Sequence, residues 1–131
     1  MKNKLKAKRK NTRYHIELDA AITLSDNSFL KGKTKNLSFG GAYLYCADSM
    51  SAPEGETCFL ELTLKGSPHP SVIKFYCNVI HVEDEGFGLQ FINIDILDYE
   101  RFKNLMVYNS TDPDALLAEL EKSPGLDIKA E

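Results

Sequence analysis

Two arginines spaced four residues apart, Arg9 and Arg13, stand near the start of the chain, and farther along comes the string Asn36-Leu37-Ser38-Phe39-Gly40-Gly41. Each guanidinium presents a planar fork of donors that matches a phosphate, or the O6/N7 edge of a guanine, in a way that the point charge of a lysine does not. The Asn, Ser and Gly of the second string offer short acceptors, short donors and bare backbone. Taken alone, residues 36–41 read as a tight connection between strands, because these are residues that turns favour. Paired with the two arginines, they become half of a site for a phosphate-bearing ligand with planar bases.

Charge sets these residues in context. Residues 1–13 hold Lys2, Lys4, Lys6, Lys8, Arg9, Lys10 and Arg13 with no acid, which leaves 9 cations against 19 acids in the remainder of a chain of net charge -3. Like charges at every second position repel in any compact form, so residues 1–13 are expected to be a flexible basic arm until an anion arrives. At 131 residues and 43% hydrophobic content, the chain suits one globular domain with a real core. No apolar run approaches the roughly 20 residues of a membrane span, and the N-terminus lacks the apolar stretch of a secretion signal, so no membrane insertion and a cytoplasmic location are expected. Cys46, Cys58 and Cys77 are odd in number and lie in separate apolar runs. They read as reduced thiols of the core, not as a disulfide framework or a zinc site.

The elements that must position the site follow from periodicity. Ile16, Leu18, Ala20, Ile22 and Leu24 alternate with outward positions, Ser25-Asp26-Asn27-Ser28 makes a turn, and residues 29–35 return with Lys31, Lys33 and Lys35 on a solvated face. Residues 42–46, 58–64, 72–82 and 87–92 continue the series between Pro- and Gly-bearing breaks, as in a small antiparallel barrel or sandwich. After Asn93 the spacing of Ile94, Leu97, Arg101, Phe102, Leu105 and Met106 turns helical, a helix should cap one open end, and Tyr99, Phe102 and Tyr108 on it read as cap and core contacts. Thr111-Asp112-Pro113 starts a second, short helix over 115–122, and residues 123–131 are expected to stay loose. The expected division is an arm over 1–13, a barrel with its capping helix over 14–108, and a short helix with a loose tail over 109–131.

The order Arg9, Arg13, then Asn36, Ser38 and Gly41 after a hairpin resembles the PilZ domain, whose pattern is RxxxR followed by [D/N]xSxxG. The resemblance covers about residues 8–106. Val79-Ile80-His81-Val82 and Gly86-Phe87-Gly88-Leu89-Gln90-Phe91 look like that family's last two barrel strands, whereas Tyr14-His15 stands where small apolar residues often follow the second arginine. The resemblance implies a mainly β fold, a six-stranded antiparallel barrel with one or more C-terminal helices. It also implies a receptor for cyclic di-GMP, with no cofactor and no catalysis. Arg9 and Arg13 would grip phosphates and guanine edges, Asn36 a guanine, Ser38 a guanine or phosphate, and Gly41 would permit close approach, with Lys8 and Gly40 adjoining.

On this reading the arm orders over the barrel when ligand binds and relays the event to a protein partner not identified by the sequence. The alternative is a PilZ-like adaptor that works by protein contacts without nucleotide. A barrel binding single-stranded nucleic acid is disfavoured by the acidic body and by the lack of an aromatic stacking ladder. His15, His69 and His81 show no metal spacing and read as structural or exposed, and no Ser, His and Asp arrangement of a hydrolase is present.

Overall fold

The computed structural model describes residues 11–47, 51–65 and 71–129. The alternation read from the sequence becomes β1 (Asp19–Leu24), β2 (Phe29–Leu37), β3 (Gly41–Tyr45), β4 (Thr57–Leu64), β5 (Ser71–Glu83) and β6 (Gly86–Asp95). They run antiparallel in the order β3-β2-β1-β4-β5-β6, and pairing of β3 with β6 closes the ring. The expected six-stranded barrel is therefore the observed one. At the β1–β2 turn Asn27 takes φ 70°, a left-handed conformation that Asn tolerates better than most residues.

Inward residues of every strand meet in one core, with Ile22, Leu44, Leu60, Ile73, Val79 and Phe87 fully buried. Cys46, Cys58 and Cys77 are reduced and buried, as the sequence suggested. Cys58 and Cys77 face each other across β4 and β5, where burial pushes the Cys77 thiol up while its hydrogen bond draws Cys58 down.

α1 (Ile96–Asn109) and α2 (Pro113–Lys122) follow the barrel. The α1 face carrying Tyr99, Phe102 and Met106 closes one end of the ring, while Tyr108, expected to join these contacts, is 88% exposed. Proline at the first position of α2 and the Asp112 carboxylate, which accepts from the Ala115 amide at 3.1 Å, start the second helix where the sequence predicted. Residues 123–131, expected to stay loose, include β7 (Asp127–Lys129), which lies parallel to β6 at Asn93, Ile94 and Asp95. Leu126 is buried just before it. Three residues with a single apolar side chain among them leave no periodicity to read, so this pairing has no sequence signature.

Phe39, inside the 36–41 string, enters the capped end of the barrel and is fully buried. Its ring meets Phe102 edge-on at 5.1 Å, and Phe102 in turn packs on Phe75 and Phe91 at 4.9 and 5.8 Å. Such pairs add to the gain from area burial alone. Phe39→Ala is expected to cost about 3–5 kcal/mol of stability in chemical denaturation, because the emptied space lies between the turn and α1 and cannot easily collapse.

Candidate ligand-binding site

The 36–41 string folds into a turn braced by its own serine. Ser38 Oγ accepts from the amides of Gly40 and Gly41, each at 3.1 Å, and the Ser38 amide donates to the Gly41 carbonyl at 2.9 Å. Ser38 is 6% exposed, so its hydroxyl first serves to shape the turn. Gly41 is required by barrel closure: a Cβ there would stand 2.2 Å from the Leu89 carbonyl oxygen of β6. These two members of the motif have structural duties that any ligand role must share.

Asn36 owes its direction to a β-bulge. Register between β2 and β3 shifts between Thr34 and Asn36, so Thr34 pairs inward with Leu44 while Asn36 stands opposite Tyr43. A bulge of this kind sets two consecutive residues, here Lys35 and Asn36, on the same side of the strand. The Oδ1 of Asn36 is buried and, among the described residues, has no hydrogen-bond partner. An unpaired buried acceptor is costly to the fold.

The root of the arm is clipped to the end of β2. Tyr14 and Leu37 exchange backbone hydrogen bonds of 2.7 and 2.9 Å. Arg13, next to this clip, lines a cavity of about 760 Å³ together with Ser38, Gly40 and Gly41. That volume lies in the roughly 300–1,000 Å³ range of small-ligand clefts. Asn36 does not line the cavity, but Tyr43 opposite it does. Arg9 and Lys8 lie outside the described residues. Asn11 and Thr12, counted with the flexible arm from the sequence, are held: Asn11 is 7% exposed and its Nδ2 donates to the Ser123 carbonyl at 2.8 Å.

The cavity also contains residues that sequence reasoning did not select, among them Tyr43, His81 and Gln90. The Tyr43 and His81 rings stack at 6.0 Å with 30° between planes, and Lys35 Nζ lies 5.5 Å from the Tyr43 ring centre. His81 can lie across β6 only because Gly88 has no Cβ, which would meet the imidazole at 2.8 Å. Gly88 was legible as part of a Gly-Phe-Gly string; its role as clearance for an imidazole was not. Tyr43 donates its hydroxyl to Glu83 at 2.7 Å, and burial followed by this carboxylate pushes its phenol well above the ordinary tyrosine value. A cation, an amide and two ring faces around one cleft suit a planar, anionic ligand. Among the described residues no cluster of three or more His, Cys, Asp or Glu could hold a metal ion, and no helix is long and apolar enough to cross a membrane.

The closed antiparallel barrel thus brings an arginine and a serine-braced turn to one cleft. The family model of the PilZ domain matches residues 7–107, and the chain belongs to that family. Among solved structures it is similar to the PilZ domain of YcgR from Escherichia coli, determined with c-di-GMP, at TM-score 0.60 and 19% identity over 88% of this chain and 96% of that one. The PilZ domain of CeSA from a cellulose-synthesizing bacterium matches at TM-score 0.60 and 16% identity over 76% and 99% of the two chains. The Bacillus subtilis inhibitor of motility, MotI/DgrA, matches at TM-score 0.59 and 23% identity over 72% of this chain. This chain spans about half of that protein, 47% of its length. At these identities the likeness is one of fold. No protein of curated function matches the sequence significantly.

Two measurements check the local chemistry without ligand. Ser38→Ala should lose about 1–3 kcal/mol in denaturation, since it leaves two amides of a buried turn without their acceptor. In a spectrophotometric alkaline titration two tyrosines, Tyr43 and the buried Tyr99, should ionise above the usual pH of about 10. Glu83→Gln should bring Tyr43 down and leave Tyr99 where it is, because removing the negative neighbour eases formation of the Tyr43 phenolate.

Proposed function

We propose that this protein is a non-catalytic receptor for cyclic di-GMP that passes ligand occupancy to a protein partner. The observation that carries the proposal is the convergence of Arg13 with the Ser38-to-Gly41 turn on one cleft, in the order that the PilZ motif requires. The YcgR domain with c-di-GMP supports the choice of ligand, and MotI, an inhibitor of motility, supports an effector role.

In this reading Arg9 and Arg13 hold the two phosphodiesters or guanine edges as charge-assisted forks, with Lys8 adding positive charge. The unpartnered Oδ1 of Asn36 accepts from a guanine N–H, which would remove a standing cost of the unliganded protein. Ser38 and Gly41 contribute chiefly by setting the turn on which the ligand rests, and Gly40 keeps that surface low. The basic arm, from Arg9 onward, closes over the ligand, exchanging chain freedom for hydrogen bonds and altering the surface offered to a partner.

An adaptor that binds no nucleotide would keep Ser38 and Gly41 for the turn and the barrel seam alone. It would have no use for a guanidinium over the cleft or for an unpaired acceptor at Asn36, and these two features favour the receptor. Calorimetric titration with cyclic di-GMP decides between them. Binding should weaken as salt rises, and Arg9→Ala and Arg13→Ala should each lose well over tenfold in affinity, about 1.4 kcal/mol or more. A single-stranded oligonucleotide should not compete. An Arg13→Ala protein that binds as the parent does would overturn the assignment of the cleft.

A further inference from the structure

The C-terminal segment lies beyond residues 7–107 that match the family model, yet it reaches the same cleft. Ser123, Gly125, Leu126 and Asp127 line the cavity with Arg13. We propose that residues 123–127, which follow α2, form one wall of the dinucleotide site and that Thr12 and, on α2, Glu119 are positioning residues for Arg13. Ligand occupancy and docking of the C-terminal segment would then favour each other. This inference rests on the receptor reading given above.

The case begins on either side of Arg13. On its C-terminal side Tyr14 is paired with Leu37 of β2. On its N-terminal side the amide and the hydroxyl of Thr12 donate to the two carboxylate oxygens of Glu119, each at 2.7 Å. Two hydrogen bonds to one ionised group are among the stronger arrangements available at a surface. The backbone of Arg13 is thus tethered to the barrel at one neighbour and to α2 at the other. A guanidinium carried on such a short span has fewer places to be, and binding through it forfeits less conformational freedom.

The adjoining contacts make the wall continuous. Asn11 spans from the motif turn to the C-terminal loop: besides its bond to Ser123, its Oδ1 lies where a Cβ on either Gly40 or Gly125 would come within 2.9 Å. Gly125 has φ +92°, and a Cβ there would also stand 2.4 Å from the Phe39 carbonyl oxygen. A glycine is therefore required twice over for the loop to rest on the turn. Buried Leu126 and the pairing of β7 with β6 hold the loop from its other end. The segment is seated against the arm root, the motif turn and β6 together, and ligand contact with any of the three bears on its docking.

Thermodynamic linkage makes the coupling reciprocal. If the docked segment favours the binding position of Arg13, bound ligand must favour the docked segment. Thr12 is exposed, so it can be altered without disturbing the core, and Thr12→Val removes the hydroxyl while leaving every charge in place. That last point matters because substitution of Glu119 would also remove a negative charge near an anion site, an effect of opposite sign.

The test is a calorimetric titration of cyclic di-GMP into the full chain, Thr12→Val and Thr12→Ser, with amide exchange over residues 113–129 of the parent, with and without saturating ligand. Thr12→Val should bind about three- to tenfold more weakly, the worth of one hydrogen bond, and Thr12→Ser should match the parent. Ligand should slow exchange in α2 and β7, a response that a merely structural tether would not give. A parent that binds while Thr12→Val matches it, or exchange that ligand leaves unchanged, overturns the inference and spares the receptor reading. A parent that binds no cyclic di-GMP overturns both.

Discussion

The burial of Phe39 is the constraint from which the site follows. Its neighbours Ser38 and Gly40 line the cleft, but its ring is fully enclosed between their turn and α1. A turn of Asn, Ser and Gly has little of its own to hold it in one shape, and most of its residues would be content in several. A large aromatic side chain driven into the barrel end removes that freedom at a gain of about 1.5–3 kcal/mol. Once Phe39 is placed, the Ser38 hydroxyl faces the amides of Gly40 and Gly41, and the Phe39 carbonyl is presented to Gly125. The capping helix therefore supports the 36–41 turn as well as the core.

Barrel closure acts on the same short stretch from the other side. Gly41 begins β3 and lies so close to the β6 backbone that no side chain fits, and the Phe91 amide reaches the Gly40 carbonyl at 2.9 Å. Gly40 and the motif glycine Gly41 thus both sit at the seam of the ring. Loss of either would be felt in the fold before any effect on a ligand could be measured, so mutational data on this motif need a stability measurement beside each affinity.

What could be read from the sequence is what repeats or what chemistry singles out. Alternation from Ile16 to Leu24, the Asp26-Asn27 turn and the helical spacing from Ile94 to Met106 each recur over enough residues to identify a strand, a hairpin and a helix, and all three are present, although Ile16 and Leu18 precede β1 and Ile94 belongs to β6, the helix starting at Ile96. Arg13, Ser38, Gly40 and Gly41 were legible by type and order, and they share one cavity. The bulge at Lys35 was not, because one extra residue in a strand leaves the hydrophobic pattern nearly intact while turning Asn36 outward. The C-terminal wall was hidden for a different reason. Its contacts join positions more than 100 residues apart, as Asn11 to Ser123 and Thr12 to Glu119, through polar groups that carry no periodicity. Tyr108 shows the converse: read as a cap or core contact, it stands exposed on α1.

β7 has a consequence for the solubility of the fold. β3 covers β6 only from Gly86 to Gln90, and the farther stretch Asn93 to Asp95 on the strand would show bare amides and carbonyls were β7 not laid along it. Exposed strand edges of this sort invite pairing with strands of other molecules, and proteins commonly cover them. Here the cover is three residues long and parallel, among the weaker forms of pairing. A molecule that lifted its C-terminal strand would uncover a docking rail for a foreign peptide within reach of the cleft that Arg13 and Asp127 line.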